Sequence, residues 1–450
     1  MPHRQAGLAT LGVFIALGMI RASSASAQTP DAEPANSTPT PAPAPTAPPT
    51  DPAPPTDPAP PTDPATPAPT GPKITALGFV EAYYAYNFNR PSNGITNFRA
   101  FDSRHDSFTL SNVGLGASWE YGEVSGRIVF QLGHAGATYY AAEPSIPATA
   151  GANASNAALW QYLQEANLGW KAPIGTGLFV QAGVFLSPIG FESMNVKDNW
   201  NYSHSNVFYG LPYYHAGVRA SYTVADNVTA RVHVYNGWNN IVDNNEEKSV
   251  MADVAYNTLA STDDDLLKLN VSVLYSGGVE RTTGAPEGPY WRHDFELVSQ
   301  WDVSKRLSLA FDGNAGWEPN RFSEGGSPFG SSWYAGALYA RVKMLDWLYL
   351  AGRGDRFYEN VSSNASGTAS SIFWPTNHPG TSNWVSSATF TLDTRPHDDL
   401  SFRLEYRHDQ ADTPMYFRSN VAGDGLTAAT SFIPNARSQD TLLLGATAWF

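Results

Sequence analysis

Arg403, Glu405 and Arg407 carry charge at a spacing of two residues. In an extended chain that spacing sends all three side chains to one face. Asp294 and Glu296 repeat the arrangement, as do Arg353 and Asp355. Glu81, Arg127, Glu165, Arg219, Arg231 and Arg341 sit on the polar face of other alternating stretches. Charged groups gathered this way suit ion and solute handling, because they set the field that a passing ion feels. The signs are mixed, so strong selectivity is not expected. The bland alternative is cross-strand pairing that simply keeps the polar side wet.

Other motifs carry less. Ser203-His204-Ser205 places hydroxyls beside an imidazole. Hydrolysis needs a Ser and a His within hydrogen-bond reach and a third orienting group, whereas neighbours on a strand point to opposite faces. Arg353-Gly354-Asp355 has the letters of an adhesion tripeptide, but both charges share the polar face of a strand. Asp263-Asp264-Asp265 lacks the glycine and distal glutamate of a calcium loop, and Asp243-Asn244-Asn245-Glu246-Glu247 reads as a solvated loop. No zinc spacing and no phosphate-cradling glycine loop occurs. No catalytic residue, metal ligand or cofactor is expected.

The elements that must position the charges alternate apolar and polar residues. In 124–132, Val124, Gly126, Ile128, Phe130 and Leu132 share one face; Ser125, Arg127, Val129 and Gln131 share the other. Such period-two segments are strands with one apolar side. Sixteen are expected, near 75–88, 107–120, 124–133, 160–171, 177–186, 213–223, 227–236, 249–257, 266–276, 290–302, 306–316, 331–342, 347–357, 384–394, 399–409 and 439–450. Each is long enough for the ~9–11 residues of a tilted membrane strand. Their connections alternate short and long, the rhythm of a transmembrane antiparallel up-and-down β-barrel. An apolar last strand that ends on Phe450 fits closure against the first, since unpaired backbone groups in hydrocarbon cost several kcal/mol each. The fold class is therefore all-β, preceded by a disordered Pro-rich leader.

The third long connection, 187–212, is expected to fold inward and narrow the barrel, offering Glu192, Lys197, Asp198 and Trp200. Tyr83, Phe185, Tyr235, Tyr339 and Phe357 are inward rings that a sugar track would need.

Composition agrees. Charged residues are 15% of the chain, against ~25% in an average soluble protein. The basic start at His3-Arg4, the apolar run Leu8–Ile20 and Ala25-Ser26-Ala27 mark residues 1–27 as a secretory signal peptide. Residues 28–72 repeat APPTDP three times and read as a Pro/Ala/Thr-rich periplasmic linker. The barrel is expected over 73–450. A net charge of −14 argues against nucleic acid. The absence of Cys excludes a disulfide framework.

Several fragments resemble the "putative β-barrel porin" family of bacterial outer membranes. They are Gly78-Phe-Val-Glu-Ala-Tyr-Tyr84, Leu163-Gln-Glu-Ala166, Gly183-Val-Phe-Leu-Ser-Pro-Ile-Gly-Phe-Glu192, Asn201-Tyr202-Ser203, Asn236-Gly237-Trp238 and Leu404-Glu-Tyr-Arg-His-Asp409. The resemblance implies passive diffusion of small hydrophilic solutes or ions through a water-filled barrel in the outer membrane, with the leader in the periplasm. The alternatives are a sugar- or anion-selective channel, and behind it a barrel lipase or a wall-anchoring structural barrel. Expected partners are outer-membrane lipids and lipopolysaccharide, the barrel-assembly machinery, for which Phe450 resembles the recognition signal, and the permeating solutes. By analogy with porins of this strand count, the resemblance also suggests a homotrimer. Cell-wall contact through the leader is a further expectation.

Overall fold

The computed structural model describes residues 71–258, 268–280, 291–320, 329–361, 373 and 384–450. Residues 1–70 and Asp263-Asp264-Asp265 lie outside the described residues, so the expected signal peptide and nearly all of the expected leader do too.

Sixteen antiparallel strands close into one barrel in which every strand pairs with its sequence neighbours. They are β1 (Lys73–Asn87), β2 (Ser107–Tyr121), β3 (Val124–Leu132), β4 (Leu163–Ala172), β5 (Leu178–Leu186), β6 (Tyr214–Ala225), β7 (Val228–Tyr235) and β8 (Ser249–Asn257). The second half holds β9 (Lys268–Gly278), β10 (Arg292–Asp302), β11 (Leu307–Asn320), β12 (Phe329–Leu345), β13 (Leu348–Val361), β14 (Trp384–His397), β15 (Leu400–Ala411) and β16 (Ser438–Trp449). Among the described residues, three short α-helices lie in long connections: α1 (His134–Tyr139), α2 (Ala157–Trp160) and α3 (Asn206–Tyr209). No described helix is long and apolar enough to cross a membrane.

The alternation decides which way each residue points. Phe130, Leu168, Val232, Phe390 and Leu444 are exposed on the outside of strands from around the barrel. A soluble monomer rarely shows so much contiguous apolar surface, but a lipid-facing band requires it. The polar alternates turn inward. Closure joins β1 to β16, with Phe79 opposite Trp449 and Tyr86 opposite Leu442. The last residue completes the ladder. The Phe450 N–H donates to the Gly78 carbonyl at 3.0 Å, and the Gly78 N–H donates back at 3.2 Å. The Phe450 ring lies over Gly78, where a Cβ would come within 2.5 Å of it.

Candidate functional site: an inward loop and the lumen beside it

The connection between β5 and β6 does not lie on the rim. It turns into the barrel and is buried along most of residues 189–212. Its backbone is held at many points by the wall, and its side chains add further contacts. Carboxylates on the inner wall accept its N–H groups. Glu296 takes Gly190 at 2.5 Å, Asp312 takes Phe191 at 2.8 Å, and Glu81 takes Val196 at 2.7 Å. Glu405 takes Tyr202 and Ser203 at 2.6 and 3.0 Å, and Asp355 takes Asn206 at 3.1 Å. Guanidinium groups donate to its carbonyls. Arg403 reaches Val196, Asn199 and Asn201 at 2.9, 2.8 and 3.1 Å. Arg353 reaches Ser203 at 2.5 Å, and Arg407 reaches His204. Hydrogen bonds to charged groups contribute ~1.5–3 kcal/mol each, and in a site closed to water they are not screened.

Packing adds to the anchorage. Phe191, Trp200 and Tyr339 form a mutual aromatic cluster. Tyr202 sits on Gly445, where any Cβ would come within 2.2 Å of its ring. One ion pair ties the loop to the wall side chain to side chain: Glu192 to Arg353 at 2.7 Å. Burial works against the Glu192 charge. Arg353, His204 and the Ser205 N–H and hydroxyl outweigh it and hold the carboxyl below its usual range.

The expected charges all point inward, yet they divide into two groups. Glu81, Asp294, Glu296, Arg353, Asp355, Arg403, Glu405 and Arg407 are buried. The expectation that these faced open water is corrected here: seven of them hold the loop, and Asp294 is buried higher on the β10 wall beside Asn314. Glu192 and Trp200 likewise face the wall, not a passage. Arg127, Arg219, Arg231 and Arg341 remain partly exposed on the inner face. Arg127 pairs with Glu165, itself nearly buried, at 2.9 Å, and Arg231 pairs with Asp253 at 2.7 Å. Arg219 lies over the Phe185 ring at 4.2 Å and donates to Gln181 at 2.7 Å. Lys197 and Asp198 pair at 2.8 Å on the open edge of the loop. Gln181, Ser221 and Gln300 are likewise partly exposed on the inner face.

Tyr83, Phe185, Tyr235, Tyr339 and Phe357 are all buried, so they present no continuous ring track. Ser203 and Ser205 are engaged by Arg353 and Glu192 respectively, while the His204 ring meets the Ser193 carbonyl at 2.8 Å and Asn199 at 3.1 Å. Arg353 and Asp355 of the Arg-Gly-Asp sequence are covered by the loop. Asp243 pairs with Lys248 near the rim.

Two inward-facing cations escaped the sequence reading. Arg99, in the connection after β1, is buried between Asp102 at 2.8 Å and Asp409 at 3.0 Å. It has no periodic neighbours to mark it. Arg395 reads as part of a turn because Pro396 follows, but it belongs to β14 and lies over the Tyr349 ring at 5.4 Å.

The sequence model of the family described as "Putative beta-barrel porin-2, OmpL-like" matches residues 73–450. The chain belongs to this family. It is an outer-membrane β-barrel channel of the porin kind. Among solved structures, the outer membrane channel DcaP of Acinetobacter baumannii is 13% identical, with a TM-score of 0.50; the match covers 85% of this chain and 99% of that one. OprB of Pseudomonas putida is 11% identical, with a TM-score of 0.51, over 85% of this chain and 94% of that one. At these identities the likeness is one of fold. No curated protein matches the chain. The porin's inner wall thus carries two sets of charges: one holds the loop, and another lies partly exposed beside it.

Proposed function

We propose that this porin lets small hydrophilic solutes and ions diffuse passively past the edge of the inward loop. The supporting observation is the partition of charge. Buried carboxylates and guanidiniums grip the loop backbone, while Arg127, Arg219, Arg231, Lys197 and Asp198 stay partly exposed along the remaining space. A barrel of this strand count leaves an aqueous channel, and a pinned loop would narrow it to a fixed cross-section. In this reading the short turns and both chain termini of the barrel face the periplasm and the long loops face the exterior. Residues 28–72 then serve as a periplasmic spacer that reaches toward the cell wall. Assembly as a homotrimer belongs to the same proposal, and chemical cross-linking in detergent tests it.

Planar-bilayer recording of the purified porin is the direct test of the channel. Stepwise, ohmic current is expected. A silent protein at every voltage contradicts the proposal.

A further inference from the structure

Beneath the inward loop, near the short-turn end, two guanidiniums share one carboxylate and a third, that of Arg341, lies unpaired nearby. Asp393 takes Arg395 at 2.9 Å and Arg403 at 3.6 Å. Arg403 is spent on loop carbonyls. Arg341 has no carboxylate within ion-pair distance and makes no hydrogen bond among the described residues; its contacts are rings. It lies 4.8 Å from the Trp200 centroid and 5.6 Å from that of Tyr349. Arg395 lies 5.4 Å from the same Tyr349 ring and 6.0 Å from Trp449.

Two cations on one aromatic ring is an unusual arrangement. The ring's negative face attracts each, but the pair repel one another, and Asp393 neutralises only one side. Asp302, across β11 from Arg341 in the strand register, turns an oxygen to the Ser308 hydroxyl at 2.6 Å. Stacking holds a guanidinium plane in place and leaves its N–H edge free. That edge is a fork suited to two oxygens of one anion. Arg341, Arg395 and Tyr349 are all partly exposed, so the fork opens on water.

We propose that Arg341 and Arg395, gathered on Tyr349 directly under the inward loop, form a binding step for small oxyanions (carboxylates or inorganic phosphate) crossing the channel. The step rests on the channel reading above. Loss of the two charges should lower the anion-to-cation permeability ratio about tenfold, the effect of two unit charges at roughly 6 Å in water.

The experiment measures reversal potential in a KCl gradient and current block by added malonate or phosphate. Subjects are the wild type, the Arg341→Gln/Arg395→Gln variant and, as a charge-matched control on a turn, Lys305→Gln/Arg306→Gln. The wild type and the control should favour chloride and be blocked by at least one oxyanion, and the double variant should lose both properties. Block by phosphate alone or by malonate alone identifies the oxyanion class. A cation-selective wild type, or a double variant with an unchanged ratio and block, overturns the anion step and leaves the channel standing. Absence of any wild-type current overturns the channel reading instead. Should the glutamine variant fail to give a heat-modifiable barrel, Arg341→Lys/Arg395→Lys serves. Charge is kept and the fork is lost, so block should weaken while the ratio holds. Undiminished block then overturns the proposal.

Discussion

The carboxylate of Glu405 accepts the backbone N–H groups of both Tyr202 and Ser203, at 2.6 and 3.0 Å, and is 1% exposed. One wall side chain thus fixes two consecutive peptides of the inward loop. Replacement by Ala strands both donors, at ~1–3 kcal/mol for each buried group left unpaired. For Glu405→Ala we expect an intact, heat-modifiable barrel whose loop has become a protease target in detergent micelles. Equal protease resistance in wild type and variant would show that the loop is held elsewhere.

Gly445 makes room for the Tyr202 ring, and a Cβ there would lie 2.2 Å from it. The Tyr202 ring is buried against Tyr83 and has little room to swing aside, so the loop must move. Gly445→Val should unseat it and wet Trp200, which is now 6% exposed. The part of the fluorescence that disappears in a Trp200→Phe background should shift to the red in Gly445→Val. An unshifted Trp200 component would mean that the ring is accommodated without moving the loop.

Glu192 is held ionised below its usual range by Arg353, His204 and Ser205 in spite of burial. Its contribution to stability is therefore complete above the unfolded carboxylate pKa and fades as pH falls through the lower folded value. Glu192→Gln should cost about 3 kcal/mol near neutrality, since it breaks a buried pair. The gap in thermal stability between wild type and variant should close in acid below the ordinary carboxylate range. A gap independent of pH would remove ionisation from the explanation.

Phe450 closes the ladder through two hydrogen bonds to Gly78. Without the residue, those Gly78 groups face hydrocarbon unpaired, at several kcal/mol each. Deletion of Phe450 should reduce the folded fraction on refolding into lipid, read as the heat-modifiable band on a gel. Phe450→Ala keeps the backbone pair and should fold in vitro, so a deficit confined to cells would assign the ring to recognition during assembly. Normal refolding of the deletion would make the last pair dispensable.

The barrel was legible because membrane strands repeat one rule at every residue. Val124 to Leu132 alternate in sequence, and the structure turns Phe130 and Leu132 out and Arg127 and Gln131 in. Boundaries slipped where local chemistry intervened. The fourth strand starts at Leu163, not near 160, because Ala157–Trp160 forms a helical turn capped by Asn156, whose side chain accepts the Leu159 N–H. Alternation gives direction but not neighbours. It sent Arg353, Glu405 and Arg407 inward without revealing that a loop from far along the chain covers them. The loop's inward course was read by analogy; many of its wall contacts are made by backbone groups, which leave no signature in the sequence of 187–212.

The most direct test compares single-channel conductance of the wild-type porin with that of a variant in which residues 190–208 are replaced by a short Gly/Ser link. Current in both proteins, several-fold larger in the shortened one, is what a wall-pinned loop in an open barrel requires. No current from the wild type, or equal conductance in the two, contradicts it.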